Sequence, residues 1–508
     1  MNKIVKLIVN FVPIAIIIVA LCIGNWVLFS HEQEVSSLLS PAIVDTETLE
    51  LSSESGQEMS RRIMTEGAVM LKNDGALPLD YSTDKQVNVF GWRSVDWIYG
   101  SEGYNASGGV SPENGDIDEN VDIYKALNKY GIQYNTRLYD MYYDYIEPDH
   151  QSEDLRGTHI SNLIYLREPK INDRNYYSED LLSYSESFSD TAIVVIGRMT
   201  GEGMNADPVK QKKKGPGAAD DGTRHYLELS TEEEALLTYC GETYENVIVL
   251  MNVSNPFEMG FLETIPGIDA CLYIGFTGTR AAQAIPGLLY GDVSPSGRTV
   301  DTFAYDLFTN PANVWLGGMT YNDDSRTYSD YIENIYVGYK WYETADAEGV
   351  WDDVSNVYGT GYEGVVQFPL GYGMSYNDYT WEVGDIRFVE TVTNDDGTTS
   401  ENEIAASVGD AFTDKVKIKI PVTVTNNGNY PGRDVVEVYV TPPYYGHTED
   451  SAIEKAAVTL AGFGKTNELQ PGASETIEIE IDPYDFASYD CYDRNGNEFK
   501  GWELEHGE

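Results

Sequence analysis

One carboxylate in this chain stands in a setting suited to proton transfer. Glu202 lies in Gly201-Glu202-Gly203, a few residues past the apolar run Ala192-Ile193-Val194-Val195-Ile196. A carboxyl just beyond a buried strand, between glycines that permit close backbone approach, suits a proton donor projecting into a cleft. Its pKa would rise only once substrate or a neighbouring domain excluded water around it. Those three residues alone describe a turn glutamate; the wider pattern around them gives the acid/base reading its weight.

Other chemistry-bearing groups fail on spacing. Asp116, Asp118, Asn120 and Asp122 alternate like calcium ligands, but Val121 and Leu127 stand where an EF-hand loop needs Gly and Glu, so they read as a solvated acidic loop. The glycines from Gly197 to Gly203 do not have the G-x-G-x-x-G spacing of a dinucleotide loop. Lys210, Lys212, Lys213 and Lys214 form an isolated basic cluster, read as solvating an insertion or offsetting charge near Glu202. Cys22 lies in an apolar stretch, and Cys240, Cys271 and Cys491 are far apart without metal-ligand spacing. All are read as buried small hydrophobes. No metal and no cofactor is implied.

The elements that must position Glu202 are legible in the apolar pattern. Val87-Asn88-Val89-Phe90, Ala192 to Ile196, Val247-Ile248-Val249-Leu250-Met251 and Cys271-Leu272-Tyr273-Ile274 are short and uncharged, as strands buried on both faces of a parallel sheet are. Helical patterns lie between them, notably Ser230 to Tyr244, opened by a Ser230-x-x-Glu233 capping box, and Thr279 to Tyr290. Met59 to Leu71 also has helical periodicity, ended by Asn73-Asp74-Gly75. This alternation predicts a layered α/β domain. Beyond about residue 385 the period becomes two: Val416, Ile418 and Ile420 alternate with lysines, and Ile477, Ile479 and Ile481 with acids. Turns at Asn427-Gly428 and Pro471-Gly472 separate these runs, as in a small antiparallel sandwich.

Composition narrows the partners. The 508 residues carry 33 Lys+Arg against 83 Asp+Glu, a formal net charge of −50, which repels a polyphosphate and excludes nucleic acid. At the start, Lys3 and Lys6 precede a run from Leu7 to Phe29 without a charge, long enough to cross a hydrocarbon core of about 30 Å. The expectation is an uncleaved single-pass anchor with the lysines cytoplasmic and the bulk of the chain extracellular.

Several phrases, in this order, resemble glycoside hydrolase family 3. They are Glu66-Gly67-Ala68-Val69-Met70-Leu71-Lys72-Asn73-Asp74-Gly75, then Val195-Ile196-Gly197-Arg198-Met199-Thr200-Gly201-Glu202-Gly203. Gly291-Asp292-Val293-Ser294-Pro295-Ser296-Gly297-Arg298 and Phe368-Pro369-Leu370-Gly371-Tyr372-Gly373 follow. Val436-Glu437-Val438-Tyr439-Val440 and Leu460-Ala461-Gly462-Phe463 resemble that family's fibronectin type III-like domain.

The resemblance implies a β-glucosidase-like, retaining enzyme acting on a β-linked oligosaccharide or glycoside. It assigns Glu202 as candidate general acid/base. Members typically carry a barrel that supplies the nucleophilic aspartate. Such a barrel takes about 250 residues and is not recognised in this chain, so a truncated or split enzyme, inactive alone and completed by a separate barrel chain, is expected. Ser94-Val95-Asp96-Trp97 is similar to the nucleophile motif, but its position after the first strand and its extra valine make Asp96 a loop residue. The expected fold class is an α/β sandwich followed by a fibronectin type III-like β-sandwich, with an N-terminal transmembrane helix. The expected boundaries are 1–30 cytoplasmic tip and anchor, 31–58 stalk, 59–304 α/β sandwich, 305–385 linker wrapping the sandwich, and 386–508 β-sandwich. A non-catalytic, membrane-anchored module that binds glycan or protein is the alternative.

Overall fold

The computed structural model describes residues 46–100, 120–150, 165–199, 218–312, 331–394, 396–405, 415–442, 453–494 and 498–504, the pairs 319–320 and 327–328, and the single positions Val12, Leu21, Ile23, Lys210, Gln211, Lys213, Gly215 and Gly496. Glu202, the acidic Asp116 and Asp118, and nearly all of the apolar run 7–29 lie outside these residues. Among the described residues no helix is long and apolar enough to cross a membrane. Met1–Met59 and Ser60–Glu508 are separate compact units.

The chain runs α1 (Thr46–Gly67), β1 (Val69–Asn73), β2 (Gln86–Phe90), α2 (Ile123–Tyr130), β3 (Gln133–Tyr134), α3 (Thr136–His150), α4 (Glu179–Phe188), β4 (Thr191–Arg198), α5 (Thr231–Thr243), β5 (Asn246–Val253), α6 (Phe261–Thr264), β6 (Ala270–Tyr273) and α7 (Ile285–Leu289). Six strands form one sheet in the order β1-β6-β5-β4-β2-β3. All are parallel except β1, which runs against β6. The central strands are covered on both faces, as their uncharged runs require. Ala192, Val194 and Ile196 face one core with Val249 and Met251, while Ile193 and Val195 face the other with Ile248 and Leu250.

Two local expectations are corrected. The helical period over Met59–Leu71 stops at Gly67, and Val69–Asn73 becomes an edge strand. Val69 and Met70 find ladder partners in Tyr273 and Leu272, and this pairing overrides a periodicity that three apolar residues satisfy equally well. Thr279–Tyr290 is not one helix but a 3₁₀ turn, Ala281–Ala284, running into α7. Pro286, which has no N–H to donate, sits where the second helix begins.

After α7 come β7 (Phe303–Ala304), the pair β8 (Met319–Thr320) and β9 (Thr327–Tyr328), α8 (Tyr339–Ala347) and β10 (Val366–Phe368), which returns to pair with β7. The second domain is a sandwich of β11 (Tyr379–Val383), β12 (Arg387–Thr393), β13 (Thr399–Ile404), β14 (Val416–Asn426), β15 (Val435–Val440), β16 (Thr459–Lys465) and β17 (Ser474–Ile481). One sheet is ordered β11-β14-β12-β13 with β17 also on β14; the other is β15-β16. Ile420, Val422, Val424, Ile479 and Ile481 fill its core, the inward face of the two-residue period. A final hairpin, β18 (Ser488–Asp490) with β19 (Gly501–Glu503), follows.

Buried polar ties join the two domains. Lys465 donates to the carbonyls of Glu66 (2.7 Å) and Ser296 (3.1 Å). Arg298 donates across to Asp434 at 2.6 Å, and Trp381, within the sandwich, donates to the other oxygen of the same carboxylate at 2.7 Å. Cys240 and Cys271 are buried as expected, but Cys491 is exposed: it follows β18 in a two-stranded hairpin with no core of its own to receive it.

Candidate functional site

A parallel sheet offers a crevice where neighbouring strands connect in opposite directions. Here β2 leads on to β3 at one side and β4 to β5 at the other, so the crevice opens at the carboxyl ends of β2 and β4. Arg198 closes β4 at this point, and Glu202 follows four positions later in the sequence.

The exit from β2 needs a glycine. Gly91 has φ +92°, and a Cβ there would lie 2.3 Å from the carbonyl oxygen of Val195 on β4. Gly91→Ala is expected to cost about 2–4 kcal/mol, from the left-handed backbone and the overpacking together. A urea midpoint within experimental scatter of the parent would refute this. The chain then turns through Trp92–Ser94. The buried Arg93 guanidinium lies 3.9 Å over the Trp92 ring and donates to Asp96 at 2.8 Å. Its stem covers Gly197, where a Cβ would meet Arg93 Cγ at 2.8 Å. Asn252, at the end of β5, clamps Ile98 by accepting its N–H (2.9 Å) and donating to its carbonyl (3.1 Å). Asp96 thus sits at the crevice, committed to Arg93.

Beneath this turn is a buried acid that sequence reasoning missed. Glu168 accepts from the Trp92 amide (2.9 Å) and shares hydrogen bonds with the hydroxyls of Tyr177 (2.6 Å) and Tyr142 (3.2 Å). The Tyr142 hydroxyl in turn accepts from the Gly91 amide at 2.8 Å and bonds to Tyr177. Burial pushes the Glu168 carboxyl from 4.5 up to about 8, outweighing the donors that favour the carboxylate. The folded protein therefore keeps this proton at neutral pH, whereas the unfolded chain has lost it. Stability linked to Glu168 is present below the ordinary glutamate pKa. It declines by about 1.4 kcal/mol per pH unit until the folded-state value is passed. Glu168→Gln should flatten the stability curve between about pH 5 and 8; urea titrations at several pH values that keep the parental slope would disprove the assignment.

The exit from β4 is held more firmly. Arg198 is fully buried and meets Glu233 with two parallel bonds, 2.8 Å to Oε1 and 2.6 Å to Oε2. It also donates to the carbonyls of Tyr226 (2.7 Å), Glu228 (2.7 Å) and Gly197 (3.0 Å). Burial raises the Glu233 carboxyl, but the guanidinium overcomes this and holds it below the usual range. Glu233 completes the capping box as well, accepting from the Ser230 amide while Ser230 Oγ accepts from its own. Tyr226 brackets Met199, its hydroxyl accepting from the amide (3.0 Å) and donating to the carbonyl (2.9 Å).

The other end of the segment returns to the same anchor. Gln211 donates to the carbonyls of His225 (2.9 Å), Glu228 (3.1 Å) and Leu229 (3.2 Å) and bridges Asp221 through the backbone. Arg198 and Gln211 therefore share the Glu228 carbonyl, so residues 225–230 hold both feet of the stretch that contains Glu202. The basic cluster is partly absorbed in this brace. Lys210 pairs with Asp220, and the nearly buried Lys213 donates to Glu232 (2.7 Å) and Thr231 (2.8 Å).

His225, Glu228 and Glu258 bring three ligand-type atoms within 4.8 Å of one another. The hydrogen bonds suit a brace better than a metal. Nδ1 of His225 accepts from the Leu227 amide, which leaves the proton on Nε2, donated to Glu258 at 2.9 Å. No ring lone pair then remains for an ion.

Comparison with known proteins agrees with this architecture. Residues 68–376, more than half of the chain, match the glycosyl hydrolase family 3 C-terminal domain, and residues 434–508 match a fibronectin type III-like domain. A beta-glucosidase of Ruminococcus albus is 29% identical over 453 residues, 89% of this chain and 38% of that protein. Beta-glucosidase A of Butyrivibrio fibrisolvens is 29% identical over 465 residues, 89% and 48% respectively. Among solved structures, a beta-glucosidase from Paenibacillus barengoltzii superposes with TM-score 0.67 at 26% identity, covering 89% of this chain and 40% of its own. Beta-glucosidase 3B from Thermotoga neapolitana, in complex with glucose, gives 0.61 at 25%, covering 86% and 50%. The chain spans half or less of the length of these relatives.

Proposed function

The chain belongs to the family of the glycosyl hydrolase family 3 C-terminal domain, and from that membership we propose that it is the acid/base-bearing part of a β-glucosidase-like hydrolase, with Glu202 as general acid/base. Its substrate is a β-linked oligosaccharide or glycoside. The observation that carries this reading is the common anchor at residues 225–230: Arg198, Met199 and Gln211 are all tied to it, at the crevice where a parallel sheet places its ligand. Proton transfer requires a carboxyl held in a defined position, and the described residues on either side of Glu202 in the sequence are tied to one anchor.

Retention needs a second carboxyl about 5–5.5 Å from the first. That nucleophile comes from a barrel domain facing the crevice, and without it this chain is inactive or nearly so. The charge-free run 7–29 behind Lys3 and Lys6 anchors the chain in the membrane by a single pass, with the bulk outside the cell.

The test is complementation. The full chain, alone and mixed with a separately produced barrel domain, is assayed on aryl β-glucosides. Turnover in the mixture only, and dependent on Glu202, supports the proposal. Turnover by this chain alone, or turnover in the mixture indifferent to Glu202→Gln, would overturn it.

A further inference from the structure

The final hairpin inverts the usual pattern of a protein surface. In β18 the polar Ser488 and Asp490 are buried and Tyr489 points out; in β19 Gly501 is buried and Trp502 points out. Tyr489 and Trp502 are cross-strand partners with ring centroids 5.3 Å apart. Tyr484, from the turn Pro483–Phe486, also packs against Trp502, with ring centroids 5.1 Å apart. The three rings are 57%, 53% and 49% exposed in sequence order. Strand alternation would ordinarily turn such rings to the interior, and contiguous exposed apolar surface of this kind marks a binding site. The hairpin is also well braced: Asp490 accepts from the amides of Tyr492 (2.9 Å) and Arg494 (2.6 Å), so the rings stand on a fixed base.

We infer that Tyr484, Tyr489 and Trp502 form a platform that binds a neutral β-linked glucan chain, on a hairpin of the β-sandwich and outside the crevice. The chain's net charge of −50 repels polyanions, anionic lipid headgroups and a second copy of itself. The exposed Asp485 beside Tyr484 strengthens that exclusion locally and accepts hydrogen bonds from hydroxyls. The patch is wholly aromatic, and each ring carries a polar handle, which matches a ligand having C–H faces and a hydroxyl rim. β-Linked glucose rings, with axial C–H bonds on both faces of a ribbon, have that shape; coiled α-linked chains do not. The choice of glucan rests on the proposed function, but binding is read without catalysis, so the two can fail separately.

The experiment is native gel electrophoresis of the full chain carrying Glu202→Gln, in gels containing mixed-linkage β-glucan or, as control, dextran. Retardation by β-glucan but not by dextran is expected, weakened about tenfold by Trp502→Ala and comparably by Tyr489→Ser. Tyr143→Ala, an exposed ring on α3, should leave it unchanged. Thermal unfolding checks each variant, and Tyr489→Ser decides if Trp502→Ala fails to fold. Absence of retardation, equal retardation by dextran, or retardation insensitive to both platform variants would overturn the inference, as would binding to anionic vesicles in place of β-glucan.

Discussion

Glu202→Gln should lower turnover of alkyl β-glucosides by the completed enzyme about 10²–10⁴-fold, the usual contribution of a positioned acid or base. The loss should depend on the leaving group. An alkoxide must be protonated as it departs, whereas dinitrophenolate leaves without help, so the first chemical step with dinitrophenyl β-glucoside should be nearly intact. The second step then limits, because the amide cannot take a proton from the attacking water. Azide needs no base. It should restore turnover of the dinitrophenyl substrate and yield a β-glucosyl azide, identifiable by its infrared band and mass. The alkaline limb of the pH profile, which reports the acid, should vanish. Equal losses for alkyl and dinitrophenyl substrates with no rescue by azide would remove Glu202 from this role.

Glu233→Ala is expected to destabilise the α/β domain by about 3–5 kcal/mol, because it strands a guanidinium that has no exposed surface. The reciprocal half of the capping box, the bond from the Ser230 amide, is lost in the same substitution, a further cost of about 0.5–1.5 kcal/mol, while Ser230 Oγ keeps the amide of residue 233. Arg198→Met combined with Glu233→Leu separates the two effects. It removes both charges and keeps volume, so it should recover part of the loss, retaining the capping deficit and the cost of the Gly197, Tyr226 and Glu228 carbonyls that lose their Arg198 donor. Urea unfolding followed by tryptophan fluorescence measures all three proteins. A single-variant loss below about 1 kcal/mol would mean that water reaches the guanidinium, and the buried clamp would be refuted.

Much of the scaffold was readable from the chain because it rests on one-dimensional signals. The runs at Ala192–Ile196 and Val247–Met251 are uncharged and short, and they are the two-sided central strands that such runs describe. Ser230 and Glu233, three apart before an apolar pattern, announced a helix start, and both capping bonds are present. The alternation around Val416–Val424 and Ile477–Ile481 marked paired strands, and these segments lie in register across one sheet. The errors arose where a neighbour distant in sequence decided the outcome. Val69–Leu71 satisfies helix and strand patterns alike until Ala270–Tyr273 supplies a ladder.

The candidate site divides along the same line. Glu202 was proposed from its local glycines and from resemblance, both properties of contiguous residues. Glu168, between Arg167 and Pro169, reads as a surface charge, and nothing near it in sequence foretells Tyr142 or Tyr177. Glu233 was visible as a cap, but its bidentate grip on Arg198, 35 residues away, was not. By itself, then, the amino-acid order determined the family, the layered sheet and the sandwich, because periodicity and motif act over a few neighbouring positions. The tertiary structure alone decided that β2 and β4 open a switch-point crevice, that residues 225–230 fasten both feet of the Glu202 segment, and which acids are buried. Those outcomes depend on low-dielectric contacts between groups that meet only after the chain has closed on itself.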